Sequence, residues 1–369
     1  MIYDLLPELE AFSAYRGGAI AKNVANMMRF DYSRVVVCRA ADETWGFGPD
    51  RILVIPELQL FARIHRGRST LPAWVTGWFF RYAFRPLLSK LNAGDVVWCH
   101  SQPSFCASLE KLIHAKGAKL IYHSHASLAP WFKRSKFRLF AADAYIFVSD
   151  AMRQEALRFL PYLKNTYAIH NGADDALFYP MSGKTERTTS VILYVGRLHR
   201  TKGVHLLLEA MRILQGRKVN AVCRIVGSSF SGGSRATSYV KSLKRSRPSN
   251  LQFVDYRSGT EIAEEYRRAD VLCFPSICRE AFGNANIEAM ACGIPVVATR
   301  VGGIPEIAAE GGVILVRPNS ALEIADALQK LVEDKDLHLN VGADGLKSFR
   351  RRFTWKRITE QYQRVIEGL

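Results

Sequence analysis

Residues 191–211 read VILYVGRLHRTKGVHLLLEAM, a stretch that contains one strand, one loop and one helix in that order. Its opening apolar run predicts a buried strand that ends at Gly196, and the apolar spacing after Gly203 predicts a helix. The loop between them is polar and contains Arg197 and Lys202. A buried strand that leads through a short loop into a helix is the repeating unit of a parallel α/β sheet.

Short apolar runs of the same kind recur along the whole chain, with helical patterns between them. The predicted strands are 2–6, 34–38, 96–100, 119–123 and 144–148 in the first half, and 191–195, 221–226, 251–254, 271–274, 295–298 and 312–316 in the second. Helical patterns lie, for example, at 203–214 and 261–268. Because single cores rarely exceed about 250–300 residues, this alternation over 369 residues predicts two doubly wound, Rossmann-like α/β domains.

The polar stretch 178–190 precedes a new strand and marks the predicted domain boundary. We therefore expect an N-terminal domain at 1–180 and a C-terminal domain at 181–352. The last segment, 353–369, has the pattern of an amphipathic helix after a break near Gly345. The N-terminal domain is one surface against which this helix could pack.

The composition is that of a globular protein, with 48% hydrophobic and 23% charged residues. The most apolar stretch, 74–84, is shorter than the roughly 20 apolar residues that a membrane span needs. The N-terminus carries acidic residues and lacks the basic region of a signal peptide. The seven cysteines form no CxxC pair, which argues against zinc ribbons and thioredoxin-like motifs. These features together predict a cytoplasmic protein.

The net charge is +17, and the excess of cations lies in the N-terminal half. Neither 58–94 nor 111–142 contains an acidic residue, whereas the two stretches contain six and seven Lys or Arg residues. A basic face of this kind suits nucleic acid, anionic lipid or phosphorylated substrates.

The loop 196–203 is a candidate diphosphate site. Arg197 and Lys202 lie beside the N–H groups of a predicted helix start, and such groups together suit a pyrophosphate. The alternative is that both are solvated cations on a surface loop. No GxGxxG or GxxxxGK[ST] motif occurs in the chain, so Rossmann dinucleotide and P-loop sites lack their main support.

Residues 269–307 read ADVLCFPSICREAFGNANIEAMACGIPVVATRVGGIPEI and contain the pair Glu280 and Glu288. A strand leads into the loop that carries Glu280, and a helix from about Asn284 carries Glu288, so both carboxylates can face one site. The helix start near Gly283 directs free N–H groups toward a ligand at that site. Carboxylates that accept from vicinal hydroxyls suit ribose or hexose. The alternative is two surface glutamates.

At this point the sequence resembles the retaining glycosyltransferases of family 4, which have the two-domain GT-B fold. The resemblance rests on EAFGNANIEAMACGIPVVAT, with GRLHRTKG upstream and VGGIPEI downstream, and it covers nearly the whole chain. RGGA at 16–19 is similar to the family's N-terminal glycine loop, VVWCHSQP and LIYHSHAS to its His-ended strands, and IHNGADDALFYP at 169–180 to its interdomain segment. The resemblance implies an α/β fold with two doubly wound Rossmann-like domains that face each other across a cleft.

The resemblance also implies roles for residues of the C-terminal half. Glu280 would contact the donor hexose and Glu288 the nucleotide ribose. Arg197 and Lys202 would bind the donor diphosphate. The sugar and phosphate would contact the backbone at Phe282, Gly283, Asn284 and Ala285.

In the N-terminal half, the resemblance implies that Gly17 and Gly18 let phosphate or acceptor approach closely, and that His125 lies over the reacting sugar. Arg16 departs from the family pattern and is a candidate contact for an anionic acceptor. Ala281, where many members have Pro, is a second departure, which concerns loop stiffness more than chemistry.

His123 and His125 alternate in an extended segment and therefore lie on one side of it. A metal site is one interpretation, but no second cluster with ligand spacing accompanies them. We expect strand-end histidines that line the cleft, and for His123 and His100 alone a structural role is the simpler interpretation.

The DxD sequence at 334–336 lies in a polar helical region and is interpreted as solvated surface. Arg197 and Lys202 would then take the place of a divalent ion at the donor phosphate. This agrees with the metal-independent chemistry that the resemblance to GT-B enzymes implies. We expect no metal and no cofactor, with the nucleotide sugar as a co-substrate.

These observations predict a retaining glycosyltransferase of hexosyltransferase type, with Glu280, His125, Arg197 and Lys202 as its catalytic residues. The donor would be a nucleotide-diphosphate sugar, with a UDP-sugar favoured, and the acceptor a hydroxyl of a sugar or lipid-linked compound in surface polysaccharide or glycolipid synthesis. A GT-B sugar-nucleotide epimerase is one alternative. A basic nucleic-acid-binding protein is the other, but it leaves the glutamates unexplained, so no nucleic-acid partner is expected.

Two basic stretches also contain clustered aromatic residues, WVTGWFFRYAFRP at 74–86 and WFKRSKFRLF at 131–140. Aromatic rings favour the membrane interface and cations favour anionic lipid, which predicts a peripheral protein at the inner membrane face. Two other interpretations stay open. The aromatic residues belong to the core and the cations are solvated, or the cations hold an anionic acceptor.

Overall fold

The structure is a computed structural model that describes residues 1–13, 18–42, 45–66, 72–126, 140–181, 188–229 and 237–369. The chain divides into two compact units. The N-terminal unit comprises Met1–His170 together with Ile358–Leu369, and the C-terminal unit comprises Asn171–Arg357.

The division between the units lies at 170, before the boundary at 180 that the polar stretch suggested. Hydrogen bonds made directly after residue 170 explain its position. The side chain of Asn171 donates to Asn284 Oδ1 at 2.9 Å, and Ala173 N donates to Phe353 O at 2.9 Å. The segment that follows residue 170 is thereby held within the C-terminal unit.

A parallel sheet of seven strands forms the centre of the N-terminal unit. Its strands are β1 (Ile2–Leu5), β2 (Arg34–Cys38), β3 (Ile52–Val54), β4 (Val96–His100), β5 (Lys119–Ser124), β6 (Ala144–Phe147) and β7 (Thr166–Ala168). Their spatial order is β3-β2-β1-β4-β5-β6-β7. The central strands are buried almost throughout, as expected for apolar runs that are covered on both faces.

Helices connect these strands, and local sequence sets their ends. The described helices of the unit are α1 (Ala19–Phe30), α2 (Glu57–Arg66), α3 (Ala73–Ala83), α4 (Arg85–Leu88), α5 (Pro103–His114) and α6 (Asp150–Phe159). Pro103 occupies the first turn of α5, where no N–H is needed. Ser149 caps α6 by accepting from Met152 N at 3.3 Å.

A second parallel sheet, of six strands, forms the centre of the C-terminal unit. Its strands are β8 (Ser190–Val195), β9 (Ala221–Val226), β10 (Leu251–Val254), β11 (Val271–Phe274), β12 (Val296–Thr299) and β13 (Val313–Val316). Their spatial order is β10-β9-β8-β11-β12-β13.

Eight helices follow β8 among the described residues. They are α7 (Val204–Gly216), α8 (Ser238–Arg245), α9 (Gly259–Arg268), α10 (Asn284–Ala291), α11 (Ile304–Ala308), α12 (Ala321–Glu333), α13 (Lys335–Arg352) and α14 (Trp355–Glu367). Leu207 of α7 and Leu328 of α12 belong to one fully buried apolar cluster with Ile192 of β8 and Ile225 of β9. None of the described helices is long and apolar enough to cross a lipid bilayer.

Every predicted strand is present, and two strands among the described residues were not predicted. Both of these, β3 and β7, are three residues long, partly exposed and at the edge of the sheet. Such strands lack the buried apolar run by which the others can be recognised.

The expected helix break near Gly345 is wrong. Helix α13 runs through this position without interruption and ends at Arg352. A Cβ atom on residue 345 would lie 3.1 Å from the Cα of Gly312, so the glycine allows the helix to approach the backbone before β13. The chain leaves the helix at Phe353, and within the N-terminal unit Tyr362 of α14 packs edge-to-face against Trp98 with ring centroids 5.1 Å apart.

Each sheet has one position at which the direction of its connections reverses. This position lies between β1 and β4 in the N-terminal unit and between β8 and β11 in the C-terminal unit. Loops that leave the carboxyl ends of such neighbouring strands diverge, and open α/β sheets bind ligands there. Lys202 follows β8, Glu280 follows β11, and His125 follows β5 next to β4.

Candidate active site

Two loops meet at the reversal point of the C-terminal sheet, 196–203 after β8 and 275–283 after β11. Lys202 ends a short 3-10 turn, Arg200–Lys202, in the first loop. The carbonyl oxygen of Thr201 in this turn accepts from Ile277 N at 2.9 Å and from Cys278 N at 3.2 Å. These backbone bonds hold the two loops against each other, as the predicted site requires.

Lys202 and Glu280 form an ion pair where the loops meet. The Lys202 ammonium lies 2.6 Å from Glu280 Oε1 and 2.8 Å from Oε2. The two side chains are only 16% and 9% exposed. The Ser276 hydroxyl donates to the same carboxylate. The desolvation free energy of two buried charges exceeds their attraction unless further hydrogen bonds satisfy them. The hydrogen bond from Ser276 therefore helps to stabilise the buried pair.

Glycine allows the backbone to come this close. Gly203 has a φ of +69°, and a Cβ atom there would lie 1.8 Å from the carbonyl oxygen of Pro275. Gly302, with a φ of +54°, would place a Cβ atom 2.0 Å from the carbonyl oxygen of Glu280. Any other residue at either position would push the Glu280 loop away from its neighbours.

Helix α10 begins beside this ion pair, at the end of the second loop. Gly283 precedes it with a φ of +105°, and no described side chain caps the helix. The Phe282 ring is buried and packs against Phe353 with centroids 5.9 Å apart. Asn284 and Ala285 are half-buried in the first turn. A helix start of this kind favours an anionic ligand.

Glu288 lies farther along α10 and is half-buried. Its Oε2 accepts from the Tyr266 hydroxyl of α9 at 2.6 Å. Tyr266 is fully buried, and burial together with the Glu288 charge raises the pKa of its hydroxyl well above the usual range. The hydroxyl therefore stays protonated and donates, which fixes the orientation of the carboxylate.

Arg197 is exposed on the same loop as Lys202. Its carbonyl oxygen accepts from the Tyr194 hydroxyl at 2.9 Å. Arg197 lines a cavity of about 190 Å³ at the carboxyl ends of β8 and β9, together with Gly196, Gly227 and Tyr256. The structure thus brings the two predicted cations onto one loop but pairs only Lys202 with Glu280 among the described contacts.

The N-terminal glycine loop is only partly described. Arg16 and Gly17 lie outside the described residues. Gly18 precedes α1, and a Cβ atom there would lie 2.3 Å from the Glu10 carboxylate. Glu10 Oε2 accepts from Ala21 N at 2.9 Å, so this carboxylate occupies the start of α1. Contact with Glu10 by itself accounts for a glycine at position 18, and phosphate approach there stays a prediction.

Three histidines form a cluster at the reversal point of the N-terminal sheet. Buried Asp4 of β1 accepts from Arg34 at 2.8 and 3.0 Å and lies 3.0 Å from His100 Nε2. His100 Nδ1 in turn lies 3.0 Å from His125 Nε2. The family resemblance predicted a role for His125, which stays a prediction, but the sequence gave no sign of Asp4 or Arg34, because each is a single polar residue within a buried strand.

The positions of the protons in the hydrogen-bonded series Asp4–His100–His125 follow from the ionisation state of Asp4. Burial alone would raise the pKa of Asp4, but the Arg34 charge and the His100 hydrogen bond lower it below its usual value. Ionised Asp4 can only accept, so His100 carries its proton on Nε2 and accepts at Nδ1. His125 must then donate from Nε2, which leaves its Nδ1 as an acceptor.

Burial keeps all three histidine rings neutral. It lowers the pKa of His100, and burial with the neighbouring histidines lowers the pKa of His123 and His125 well below the usual range. Trp98 Nε1 donates to His123 Nδ1 at 3.3 Å, so the His123 proton is on Nε2. That nitrogen is buried without a hydrogen-bond partner among the described residues.

The histidine cluster also brings three possible metal ligands close together. One nitrogen from each of His100, His123 and His125 lies within 4.8 Å of the others. Both nitrogens of His100 already have hydrogen-bond partners, so this ring could bind a metal only by giving up Asp4 or His125. These hydrogen bonds favour the interpretation without metal, which stays a prediction.

The sequence matches two family models. Residues 24–177 match the model described as glycosyltransferase family 4, and residues 181–347 match the model described as glycosyl transferases group 1. The two matches cover most of both halves and leave out the N-terminal glycine loop and α14.

Characterised relatives are similar over large parts of the chain. The chain is 38% identical over 249 residues to a D-inositol 3-phosphate glycosyltransferase of Corynebacterium jeikeium, a match that covers 62% of this chain and 58% of that protein. It is 29% identical to an alpha-maltose-1-phosphate synthase of Mycolicibacterium smegmatis, over 74% of this chain and 79% of that protein. The first match thus spans less than two thirds of the relative's length.

Solved structures show the same fold. HepE of Anabaena in complex with UDP-glucose superposes with a TM-score of 0.76 at 18% sequence identity, over 100% of this chain and 99% of that one. At this level of identity the similarity establishes the fold alone.

We predict that the neutral histidine cluster makes stability depend on pH. Because the folded rings have lowered pKa values, the unfolded chain binds protons first as pH falls below about 6.5. Stability is therefore full above this pH and decreases below it, by up to about 1.4 kcal/mol per pH unit for each ring. His123→Phe keeps the ring packing and should flatten this slope between pH 7 and 5 in urea denaturation.

The control for this measurement is His114→Asn, which removes a histidine outside the cluster. His123→Phe should reduce the slope more than the control does, whatever its constant effect on stability. Parallel pH curves for His123→Phe and the unchanged protein would show that His123 is not held neutral by the fold.

Proposed function

Because the chain belongs to glycosyltransferase family 4 and has the GT-B fold with two Rossmann-like units, we propose that it transfers a sugar from a nucleoside diphosphate sugar to an acceptor hydroxyl. The observation that carries this proposal is the buried pair of Lys202 and Glu280 beside the start of α10, which no side chain of the described residues caps. A cation, a carboxylate and free helix N–H groups are together what a sugar joined to a diphosphate needs.

The leaving diphosphate is the natural ligand for the positive groups. The Lys202 ammonium has three protons, of which the two Glu280 oxygens use at most two, so a phosphate oxygen can take the third. Arg197 is exposed on the same loop and supplies a second cation. Both charges and the α10 start would stabilise negative charge as the bond to phosphate breaks.

The carboxylates suit the hydroxyl groups of the donor. Glu280 would accept from the transferred hexose, with the backbone of Phe282, Gly283, Asn284 and Ala285 near the sugar and phosphate. Glu288 would accept from the ribose, and its contact with Tyr266 holds it ready to do so. A UDP-sugar is the favoured donor, and the complex of the structurally similar HepE with UDP-glucose supports this choice.

His125 is proposed to contact the substrate from the N-terminal unit. The hydrogen bonds from Asp4 through His100 leave the neutral His125 ring with an acceptor at Nδ1, which suits a sugar hydroxyl. A neutral imidazole also avoids placing a second positive charge at an oxocarbenium-like transition state. The fixed tautomer makes this acceptor available without reorganisation.

We assign retention of configuration and independence of metal to the same proposal. Departure of the diphosphate and attack by the acceptor would take place on one face of the sugar, and no enzyme nucleophile is needed. Lys202, Arg197 and the helix start would do at the phosphate what a divalent ion does in metal-dependent transferases.

The acceptor is proposed to be a sugar or a lipid-linked compound in surface polysaccharide or glycolipid synthesis, handled at the cytoplasmic side of the membrane. The basic N-terminal half supports an anionic acceptor or surface, and Arg16 and Gly17 belong to the same proposal. A sugar-nucleotide epimerase with the same fold is the second candidate, since the site would bind the same donor.

The first prediction from the proposed function concerns the donor. A thermal-shift screen of UDP-, GDP- and ADP-sugars should show one nucleotide class that stabilises the protein, by about 2.7 kcal/mol at 100 times its Kd. Incubation of that donor with a glycan acceptor should then release nucleoside diphosphate only when acceptor is present. Acceptor-independent conversion of the donor sugar would support the epimerase instead, and no stabilisation by any nucleotide sugar would refute both.

The second prediction separates the two carboxylates. Glu288→Gln keeps an acceptor for Tyr266 and should mainly raise the KM for the donor, because its contact is formed before the chemical step. Glu280→Gln should mainly lower kcat, because its contact strengthens in the transition state. Each loss should be about 1.5–3 kcal/mol, or roughly 10- to 150-fold.

The matched control is Asp326→Asn, which removes the same charge from the exposed pair with Arg217 at 2.7 Å and should change neither constant. If Glu280→Gln unfolds because Lys202 loses its partner, Ser276→Ala weakens the same carboxylate more gently and should also lower kcat. Normal kcat and KM in all of these variants would place the site elsewhere.

The third prediction concerns metal. Activity should survive EDTA, and Arg197→Ala and Lys202→Ala should each cost about 1.5–3 kcal/mol in kcat/KM. Steady-state rates with and without chelator measure this directly. An absolute requirement for Mn²⁺ or Mg²⁺ would contradict the assignment of the two cations.

A further inference from the structure

The outer side of helix α3 in the N-terminal unit exposes three large aromatic side chains. Trp74 is 77% exposed, Trp78 66% and Tyr82 47%. They follow each other at intervals of four residues and therefore form one stripe along the helix. Large aromatic residues are normally buried, so a stripe of this kind indicates a surface that is covered in use.

The opposite side of α3 already attaches the helix to the fold. Phe80 and Phe84 are 1% and 0% exposed, and both rings pack edge-to-face against Phe105 of α5 with centroids 4.7 and 4.9 Å away. The interpretation of these aromatic residues as core is therefore right for Phe80 and Phe84 and wrong for the stripe. Trp74 and Trp78 are not needed to hold the helix in place.

Cations lie along the same side. Arg81 and Arg85 are exposed, and the Arg85 guanidinium lies 5.0 Å from the centre of the Tyr82 ring. The Trp78 and Tyr82 rings are nearly parallel, 5.9 Å apart. The chain from 58 to 94 contains no acidic residue that could neutralise these charges. The face is thus both aromatic and positively charged.

We propose that this outer face, formed by Trp74, Trp78, Arg81 and Tyr82 of α3 and by Arg85 at the start of α4, rests on a bilayer of anionic lipid. Indole and phenol rings prefer the boundary between headgroups and acyl chains, and arginine pairs with the phosphates of anionic headgroups. The face would place the N-terminal unit on the membrane surface without any segment crossing it. The bilayer is thereby the proposed partner of the enzyme. Only the link between this surface and a membrane-bound acceptor rests on the proposed function.

A membrane explains this face better than a carbohydrate does. Sugar-binding aromatic platforms work with carboxylate or amide side chains that bind hydroxyl groups, and residues 72–91 contain no Asp, Glu, Asn or Gln. A second copy of the chain is also disfavoured, because two such faces would bring four arginines together. The other predicted aromatic stretch, 131–140, lies outside the described residues except for Phe140.

Cosedimentation with vesicles tests the proposal. The full chain should bind vesicles of phosphatidylcholine with 40% phosphatidylglycerol at low salt and bind pure phosphatidylcholine at least tenfold more weakly. The triple variant Trp74→Ala, Trp78→Ala, Tyr82→Ala should lose at least tenfold of the binding to anionic vesicles. Arg81→Gln with Arg85→Gln should lose the preference for anionic lipid and most of its salt dependence.

The matched control is the double variant Tyr32→Ala, Tyr162→Ala, which removes exposed aromatic residues of the same unit, 81% and 55% exposed, and should bind as the unchanged protein does. Brominated lipids in anionic vesicles should quench the tryptophan fluorescence of the unchanged protein and of the control, both of which keep Trp74 and Trp78. This readout reports insertion of the rings rather than attraction of charge.

Three results would overturn the proposal. The first is that the unchanged protein does not bind anionic vesicles at low salt. The second is that the control and the triple variant lose vesicle binding equally. The third is that the protein self-associates and the triple variant abolishes this self-association while lipid binding persists. The donor screen on the triple variant keeps the two proposals apart. Retained stabilisation by nucleotide sugar with lost vesicle binding separates the membrane face from the donor site, whereas failure of the screen leaves the vesicle result unaffected.

Discussion

The buried contact between Lys202 and Glu280 is the interaction on which the proposed donor site depends. It joins the loops after β8 and β11, the two strands from which the connections of the C-terminal sheet diverge. The backbone bonds to Thr201 bring these loops together, and Ser276 satisfies the carboxylate. Two charges are thereby held largely out of water, which costs desolvation free energy. They lie at the edge where open α/β sheets generally bind ligands, so a charged ligand could interact with them.

The N-terminal sheet has a related arrangement at its own reversal point. There a buried ion pair, Arg34 with Asp4, orients neutral histidines. The charges of Asp4 and Arg34 stay inside the sheet, and of the hydrogen-bonded series Asp4–His100–His125 only His125 is partly exposed. One unit thus presents fixed charge, suited to a diphosphate, and the other presents a neutral hydrogen-bond acceptor, suited to a hydroxyl group.

The sequence was sufficient for the buried strands of both sheets, because such strands are apolar runs, but not for the short, partly exposed edge strands β3 and β7. It placed Lys202 and Glu280 on loops that follow two of the buried strands, and it did not predict that the two side chains pair. It was not sufficient for Ser276, Tyr266 or Asp4, since a polar residue that orients another leaves no spacing pattern. Gly345 was misread because a glycine that permits close packing inside a helix resembles one that ends it. Trp74 and Phe80 are both aromatic residues of the stretch 74–86, and only the packing of α3 shows that the first ring is exposed and the second buried.

Hydrogen exchange of the full chain, with and without a saturating nucleoside diphosphate, measures the central claim without relying on turnover. If the nucleotide binds where Lys202 and Glu280 meet, amides in 196–203 and 276–288 should exchange more slowly in its presence. Glu288→Gln should need a higher nucleotide concentration for the same protection. Unchanged exchange in both segments, at a concentration that stabilises the protein against heat, would show that the nucleotide binds elsewhere and would contradict the account.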